Sequence, residues 1–245
     1  MRLFAVALGL SVMGSFGSLV LASGLLVLSP QNRLRLVPHL VSYAVGTLLG
    51  VALLSILPEV LTDLDPPRTF ATLLFGILTF FVLEKLVLWH HCHTEDCEAH
   101  GRPGALVLIG HAFHSFVDGV AIGAAVQTSW PLGLSTATAV ALHEVPQQVG
   151  DYAVLLNAGY RRAPALGLSV LSAGGAVAGT VVSFLAFDRL PGVLPYALAF
   201  AAASFLYIAM ADLIPDLHRG KVTAGAFKQL LLLGAGIATA FGLRE

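Results

Sequence analysis

The sequence has 245 residues, of which 57% are hydrophobic and only 11% are charged, and its mean hydropathy is +0.85. Soluble domains carry about 25% charged residues, so this composition excludes a water-soluble globule and indicates a protein surrounded by lipid. The 13 basic and 14 acidic residues give a net charge of -1. No basic surplus is available for the phosphate backbone of a nucleic acid, and we expect no nucleic-acid partner.

Eight apolar runs are long enough to cross a bilayer. A hydrocarbon core of about 30 Å takes about 20 apolar residues in a helix, and each run is bounded by charges, Pro or Gly. The runs extend from Leu3 to Leu28, Pro38 to Leu61, Thr69 to Trp89, Ala105 to Gln127, Leu132 to Asn157, Pro164 to Phe187, Leu194 to Leu217 and Val222 to Leu243. We predict an all-α membrane protein with eight transmembrane helices and a single transmembrane domain over residues 1–245.

The distribution of basic residues predicts the orientation, because Lys and Arg are enriched on the cytoplasmic side of a membrane. The loops after the first, third, fifth and seventh runs, with the adjacent membrane ends, hold nine of the 13 basic residues. The other side, counting both termini, holds four. Both termini are therefore expected outside, and the short sequence without a large extracellular domain fits a multi-pass protein of a bacterial inner membrane.

Two of the apolar runs end in the same pattern, in which an apolar residue is followed by Pro, an acidic residue and another apolar residue. The second ends in LPEVL at residues 57–61 and the seventh ends in IPDL at residues 214–217, in helices that cross the membrane in opposite directions. This pattern predicts an inverted repeat that pairs runs one to three with runs six to eight around runs four and five, as is typical of secondary transporters. A Pro-acid ending is also an ordinary helix stop, and that alternative stays open. On the first run, Gly14 and Ser18 form a small-xxx-small pair that favours close helix packing.

Polar residues concentrate near the middle of the fourth and fifth runs, where an ionised carboxylate costs at least about 2.5 kcal/mol and therefore has a partner or a function. On the fourth run, His114 and Asp118 lie four residues apart on one helix face, with His111 one turn earlier. The fifth run places His143 and Gln147 on one face. Its further polar residues are Glu144, Gln148 and Asp151.

The two polar clusters are expected to face each other, because only residues 128–131 connect these antiparallel helices. Imidazole and carboxylate together suit Zn(II), Mn(II), Fe(II) or Co(II), whereas Cu(I) seeks thiolate or thioether ligands. No cysteine occurs in any of the eight runs. The clusters therefore predict a divalent-metal site, although for His111 alone we favour a packed, hydrogen-bonded role.

At these residues the chain resembles the ZIP family of divalent-metal transporters, especially its LIV-1 branch. Residues 114–119 (HSFVDG) are similar to the HNFxDG motif, and residues 143–151 (HEVPQQVGD) are similar to HEIPHEVGD. Residues 57–59, 83–85, 90–93, 205–209 and 214–216 also match family patterns. The resemblance implies eight helices, a homodimer, a binuclear metal centre between the fourth and fifth helices, and elevator-like movement of helices one, four, five and six against the other four.

The resemblance also implies ligands by position. The primary site would comprise His114, Asp118, His143 and Gln147, and the neighbouring site Ser115, Asp118, Glu144 and Gln147. Three residues depart from the pattern: Ser115 replaces Asn, Gln147 replaces the second His of HEIPHE, and Gln148 replaces its final acid. Because each change introduces a weaker or neutral ligand, we predict one well-formed primary site. Glu144 is then a flanking ligand or a relay, and His111, Gln148 and Asp151 are candidate pathway residues.

The predicted function is transport of a divalent transition metal into the cytoplasm, with Zn(II) as the expected substrate and Fe, Mn, Co or Cd as alternatives. The cation is cargo, and no prosthetic group is expected. The expected partners are the metal ion, the lipid bilayer and a second copy of the chain.

The loop at about residues 90–103 is rich in metal-binding side chains. His90, His91 and His93 surround Cys92, and Cys97 follows. Such density is typical of a tract that gathers metal, and the predicted orientation places it in the cytosol. A solvated linker of the same composition is the alternative.

The fifth run is also close to a hydrolase motif, since HEVPQ at residues 143–147 differs by one residue from HExxH. In that motif two histidines hold zinc and the glutamate acts as a base. A zinc-dependent intramembrane protease is therefore the alternative function. The second histidine is missing and Pro146 disturbs the turn between the ligands, so we predict that the protein is not an enzyme.

Overall fold

The computed structural model describes residues 2–89, 103–218 and 225–243, and throughout these ranges the regular secondary structure is helical. The helices form eight rods, two of which contain a π-helical segment. The α-helices are α1 (Arg2–Val27), α2 (Pro30–Gly50), α3 (Leu57–Asp63), α4 (Pro66–Trp89), α5 (Pro103–Thr128), α6 (Trp130–Asn157), α7 (Arg162–Phe187), α8 (Leu194–Tyr207), α9 (Ile214–His218) and α10 (Gly225–Gly242). The prediction of an all-α protein with eight rods is confirmed.

Six of these rods are long and apolar enough to cross a membrane by length and composition. They are α1, α2 with α3, α4, α5, α7, and α8 with the π-helical segment after it. The remaining two are α6, which has 28 residues and carries the polar residues of the fifth run, and the shorter apolar helix α10. The described structure is that of a multi-pass membrane protein.

The second rod begins earlier than the predicted boundary at Pro38. Its first helical residue is Pro30, and the Ser29 hydroxyl accepts a hydrogen bond from the Asn32 backbone N–H. A proline at the first helical position removes no intrahelical hydrogen bond, because an N–H group at that position has no partner within the helix. Pro38, in contrast, lies inside α2. The helix continues through Pro38, as membrane helices tolerate an internal proline when neighbouring groups satisfy the backbone.

The two rods with the Pro-acid ending each contain a π-helical segment directly before it. These segments are Val51–Ile56, which precedes α3, and Ile208–Leu213, which precedes α9. The Leu57 N–H donates to the Ala52 carbonyl, five residues back, and the Ile214 N–H donates in the same way to the carbonyl of Ala209. The wide turns therefore occupy equivalent positions in the second and seventh rods, which supports the inverted repeat read from the sequence.

The rods pack in two groups. The first helix group comprises α1, α5, α6 and α7, in which α5 runs along α7 and α1 contacts both α6 and α7. The second helix group comprises α2 with α3, α4, α8 with α9, and α10, in which α2 runs along α10 and α4 along α8. The groups meet mainly where α6 contacts α2 and where α5 contacts α8.

Glycines set the closest helix approaches inside each group. A Cβ atom on Gly119 of α5 would lie 1.9 Å from the Ala176 carbonyl oxygen of α7, and one on Gly46 of α2 would lie 2.1 Å from the Leu233 carbonyl oxygen of α10. Among the described glycines, every position where an added Cβ would come within 3.0 Å of another helix joins helices of the same group. Lipid provides no hydrophobic drive for helix association, so such close packing holds each group together.

Polar contacts between helices also connect helices of the same group. In the first helix group, the Ser11 hydroxyl of α1 contacts the Thr180 hydroxyl of α7, and Thr180 contacts the Gly119 carbonyl of α5. In the second helix group, the Tyr207 hydroxyl donates to Glu84. Both groups are therefore stabilised internally by packing and by hydrogen bonds.

Candidate metal site

Three predicted ligands meet between α5 and α6. The Nε2 atoms of His114 and His143 are 3.0 Å apart, and Oδ2 of Asp118 lies 3.3 Å from the first and 3.4 Å from the second. Their ligand atoms all lie within 4.8 Å of one another. A tetrahedral zinc ion with bonds of about 2.0 to 2.1 Å holds neighbouring donors about 3.3 Å apart. The three side chains thus have the spacing that one ion requires.

The backbone of α6 fixes the orientation of the second imidazole. The Nδ1 atom of His143 lies 2.9 Å from the Ala139 carbonyl oxygen one turn earlier and donates to it. The Nε2 lone pair of His143 then faces Asp118, as it does when a second hydrogen bond orients a metal-binding histidine. This contact fixes a proton on Nδ1 of His143 and leaves Nε2 as the ring atom that faces the site.

The surroundings of the Asp118 carboxylate favour a cation beside it. Asp118 is fully buried, and within the described ranges neither of its side-chain oxygens has a hydrogen-bond donor of normal geometry. The helices α5 and α6 contain no Lys or Arg. A buried carboxylate without donors is costly unless it pairs with positive charge. This donor set fits a divalent cation.

A cavity of about 410 Å³ leads to the site from one side. Its lining includes His114 and Gln147 from the first helix group and Glu84, Tyr207 and Asp212 from the second. Gln147 is partly exposed and lines this cavity together with His114, and its place in the primary site stays a prediction.

A second polar cluster lies beside the first, also between α5 and α6. The Ser115 hydroxyl lies 3.1 Å from Oε1 of Glu144 and 3.3 Å from Nε2 of His111. The side-chain nitrogen of Gln148 lies 3.2 Å from the same Nε2 and 3.4 Å from Oε2 of Glu144. Nδ1 of His111 lies 2.8 Å from Oδ2 of Asp151. We call His111, Ser115, Glu144 and Gln148 the polar ring.

The structure divides the predicted site residues between these two clusters. His114, Asp118 and His143 meet as the resemblance implies, whereas Ser115 and Glu144 contact His111 and Gln148 in the polar ring. His111 is buried and its Nδ1 atom lies 2.8 Å from Oδ2 of Asp151, and its packed, hydrogen-bonded role stays a prediction. His90, His91 and His93 of the predicted metal-gathering loop lie outside the described residues.

Sequence reasoning missed one residue of the second cluster. The Ser18 hydroxyl of α1 donates to Oε2 of Glu144 at 2.9 Å. Ser18 is fully buried, and the sequence indicated only its role in close helix packing. The small-xxx-small spacing with Gly14 was the available signal, because it predicts that this face of α1 contacts another helix.

The ZIP zinc transporter family profile matches residues 89–244, which is more than half of the chain. The chain belongs to the ZIP zinc transporter family. The matched range contains α5 and α6 with all three metal-ligand candidates. The family resemblance read from the sequence is therefore confirmed.

Curated relatives of this ZIP protein are similar over most of its length. It is 34% identical to zinc transporter ZIP13 of Pongo abelii over 217 residues, which cover 81% of this chain and 64% of the relative. It is 31% identical to zinc transporter ZIP13 of Homo sapiens over 289 aligned residues, with coverage of 95% and 77%. Identity to zinc transporter YKE4 of Saccharomyces cerevisiae is 28% over 208 residues, with coverage of 73% and 60%. The chain thus spans less than two thirds of the first and third of these relatives.

Family membership also decides between transporter and hydrolase. The matching relatives are named zinc transporters, and members of the family are transporters, not enzymes. The protein is accordingly assigned to the transporters, and the intramembrane protease is not favoured.

Proposed function

We propose that this protein transports Zn(II) across a membrane through the site formed by His114, Asp118 and His143. The observation that supports the proposal is the convergence of two imidazoles and a fully buried carboxylate from two helices at distances of 3.0 to 3.4 Å. Gln147 is the proposed fourth ligand. It follows His143 by one turn and lines the same cavity as His114. Its neutral amide is a weak ligand, which favours release of the ion.

The cavity beside the site is the proposed path toward the cytoplasm. It is lined by Glu84 near the end of α4 and by Ile109 near the start of α5. The sequence between those helices is the histidine-rich loop. Acidic side chains along a narrow path raise the local concentration of cations. An ion that leaves His114 toward Glu84 therefore moves toward the histidine-rich loop. We propose that this loop binds or senses the ion.

Alternating access is proposed to occur by an elevator movement of the first helix group against the second. The three ligands belong to α5 and α6 of the first helix group, so a displacement of that group carries the whole site with it. Such a rigid-body movement requires two bodies that are closely packed inside and more loosely packed against each other. The packing glycines lie inside the groups, which supports this division.

The finer features remain proposals from the sequence. We propose a homodimer within the lipid bilayer, one transmembrane domain over residues 1–245, both termini outside, and a bacterial inner membrane as the location. The relatives described above come from eukaryotes. Fe, Mn, Co and Cd are further candidate substrates, because the same ligands suit them.

Zinc uptake into proteoliposomes tests the proposed function. Asp118→Ala and His143→Ala should each reduce zinc uptake to the rate of liposomes without protein. Gln127→Ala is a matched control, because Gln127 lies on α5 away from the site, where it hydrogen-bonds to Gly123 and Ser183. Near-wild-type uptake by either site variant would show that zinc does not cross through these ligands.

A further inference from the structure

A groove of about 400 Å³ lies between the start of α2 and the second half of α6. Leu34, Val37 and Pro38 line it from α2, and Val149 lines it from α6. These side chains are apolar, and the only other residue of the lining is Arg33. The volume is in the range of about 300 to 1,000 Å³ that is usual for ligand pockets. We call these five residues the basic groove.

The charged group of the basic groove has no acidic partner among the described residues. Arg33 is partly buried, and none of the ion pairs within the described ranges includes it. The helix α2 contains no acidic residue, and a second arginine, Arg35, follows at an exposed position. On α6, the acidic residue closest in sequence to Val149 is Asp151, which contacts His111. The groove therefore offers positive charge to an anion.

Charge and apolar surface follow each other along α2 in the order that a phospholipid requires. Arg33 lies in the first turn of α2, where a long basic side chain reaches the headgroup level of a membrane. Val37 is four residues further, so it lies on the same face about 6 Å deeper along the helix. Leu34 on the rim is 77% exposed, which leaves the groove open to the surrounding lipid. A phosphate at Arg33 thus places an acyl chain beside Val37.

The membrane side also favours an anionic lipid. Arg33 and Arg35 belong to the sequence after the first apolar run, which the distribution of basic residues assigns to the cytoplasm. Basic pockets between membrane helices on that side are typical binding sites of anionic lipid headgroups. A cavity at the other ends of the helices, lined by Phe4 and Phe184, has Asp188 as its charged residue and does not suit an anion.

We propose that the basic groove binds one anionic phospholipid per chain, with its phosphate at Arg33 and one acyl chain along Val37 and Val149. The lipid would contact α2 of the second helix group and α6 of the first, at the boundary where these groups meet. The proposal does not depend on zinc binding, because none of the groove residues is a candidate ligand of the metal site.

Lipid titration of the purified full-length protein in detergent tests this proposal. Mass spectrometry under non-denaturing conditions should detect a one-to-one adduct with phosphatidylglycerol, and this lipid should bind about fivefold more tightly than phosphatidylcholine, which has no net charge. Arg33→Gln should weaken phosphatidylglycerol binding by about fivefold. Arg162→Gln is the matched control, because Arg162 is exposed at the start of α7, on the same predicted membrane side, and does not line the groove.

Two results of this titration would overturn the proposal. One is an equal affinity of Arg33→Gln and wild type for phosphatidylglycerol. The other is an equal loss of affinity in Arg162→Gln, which would mean that the basic surface as a whole attracts the lipid. If Arg33→Gln elutes as an aggregate, Leu34→Glu replaces it with the same outcomes, because the new charge repels the phosphate.

Filling the groove tests the position of the acyl chain. Val37→Trp occupies the groove without a change of charge and should weaken phosphatidylglycerol binding by at least about fivefold. Leu36→Trp, at the adjacent position of α2, is the control, because Leu36 is exposed and does not line the groove. Equal binding by these two variants would exclude the groove as the lipid site.

Melting temperatures distinguish a lipid from a free phosphate ion. A ligand that binds only the folded protein stabilises it, so phosphatidylglycerol should raise the melting temperature of wild type more than that of Arg33→Gln. Sodium phosphate at the same concentration should have no effect. An equal rise with sodium phosphate would contradict the lipid as the occupant. None of these measurements uses zinc, so their failure is distinct from a failure of the proposed transport function.

Discussion

The Nε2 atoms of His114 and His143 lie 3.0 Å apart, although they belong to different helices. Nδ1 of His143 donates to the Ala139 carbonyl, so Nε2 is the ring atom that faces His114 and Asp118. Two imidazoles in this arrangement are stabilised by a proton or a cation between them, and the buried Asp118 carboxylate adds negative charge at the same point. The pair therefore defines the position at which we expect cargo to bind.

Restoring a histidine at position 147 should strengthen this site. Gln147→His places a third imidazole on the His143 face of α6, and imidazole is a stronger ligand for Zn(II) than an amide. We expect the zinc concentration for half-maximal uptake to fall by about tenfold and the maximal rate to fall, because a tightly bound ion leaves slowly. Initial uptake rates in proteoliposomes over a range of zinc concentrations measure both.

Gln127→His is the control for that experiment. It adds the same side chain to α5 at a distance from the three ligands. An unchanged half-maximal concentration in Gln147→His would mean that residue 147 does not reach the ion.

The packing between α5 and α7 should not tolerate a methyl group at Gly119. The new Cβ would lie 1.9 Å from the Ala176 carbonyl oxygen, so the helices must separate. Overpacking of this kind costs roughly 1 to 3 kcal/mol, and we expect Gly119→Ala to lower the melting temperature and zinc uptake. Thermal unfolding in detergent is the measurement. Gly174→Ala on α7 is the control, since its Cβ meets nothing within 4 Å; equal melting temperatures for the two variants would argue against this contact.

Cross-linking the two helix groups should stop transport. Phe80 of α4 and Phe113 of α5 line the same cavity from opposite groups. With cysteine at both positions, a short bifunctional maleimide should reduce zinc uptake to background, because it prevents relative movement of the groups. In the control pair, Phe4 and Phe184 belong to the same group and their ring centroids are 5.3 Å apart. Uptake that survives the Phe80–Phe113 cross-link would exclude the elevator movement.

The sequence predicted the rods and the primary ligands because both follow from local rules. Apolar runs of about 20 residues specify membrane helices, and the spacing of four between His114 and Asp118 places them on one face in any helix. The short connection of residues 128–131 then makes α5 and α6 neighbours. These predictions needed no knowledge of how distant helices pack.

The polar ring could not be predicted in the same way. The spacing predicted His111 on the same helix face as His114 and Asp118. In the structure, His111 contacts Ser115 and Asp151 instead. Ser18 is 126 positions from Glu144, and only the packing of α1 on α6 joins them. The π-helical segments were also missed, because their wide turns have no distinct residue pattern and only the following proline marks their position.

The acidic lining of the cavity should affect the rate at which zinc reaches the site from that side. Glu84 lies on the cavity and accepts a hydrogen bond from Tyr207. A single negative charge near the path is worth about 1 kcal/mol, so Glu84→Gln should raise the half-maximal zinc concentration about two- to fivefold when zinc is supplied from the side of the cavity. The effect should shrink at high salt, where such attraction is screened. Vesicles of known orientation, assayed at low and at high salt, provide the measurement.

Glu59→Gln is the control, because Glu59 lies in α3 and does not line this cavity. A shift of equal size in both variants, or one that does not depend on salt, would show that the charge of Glu84 does not guide the ion.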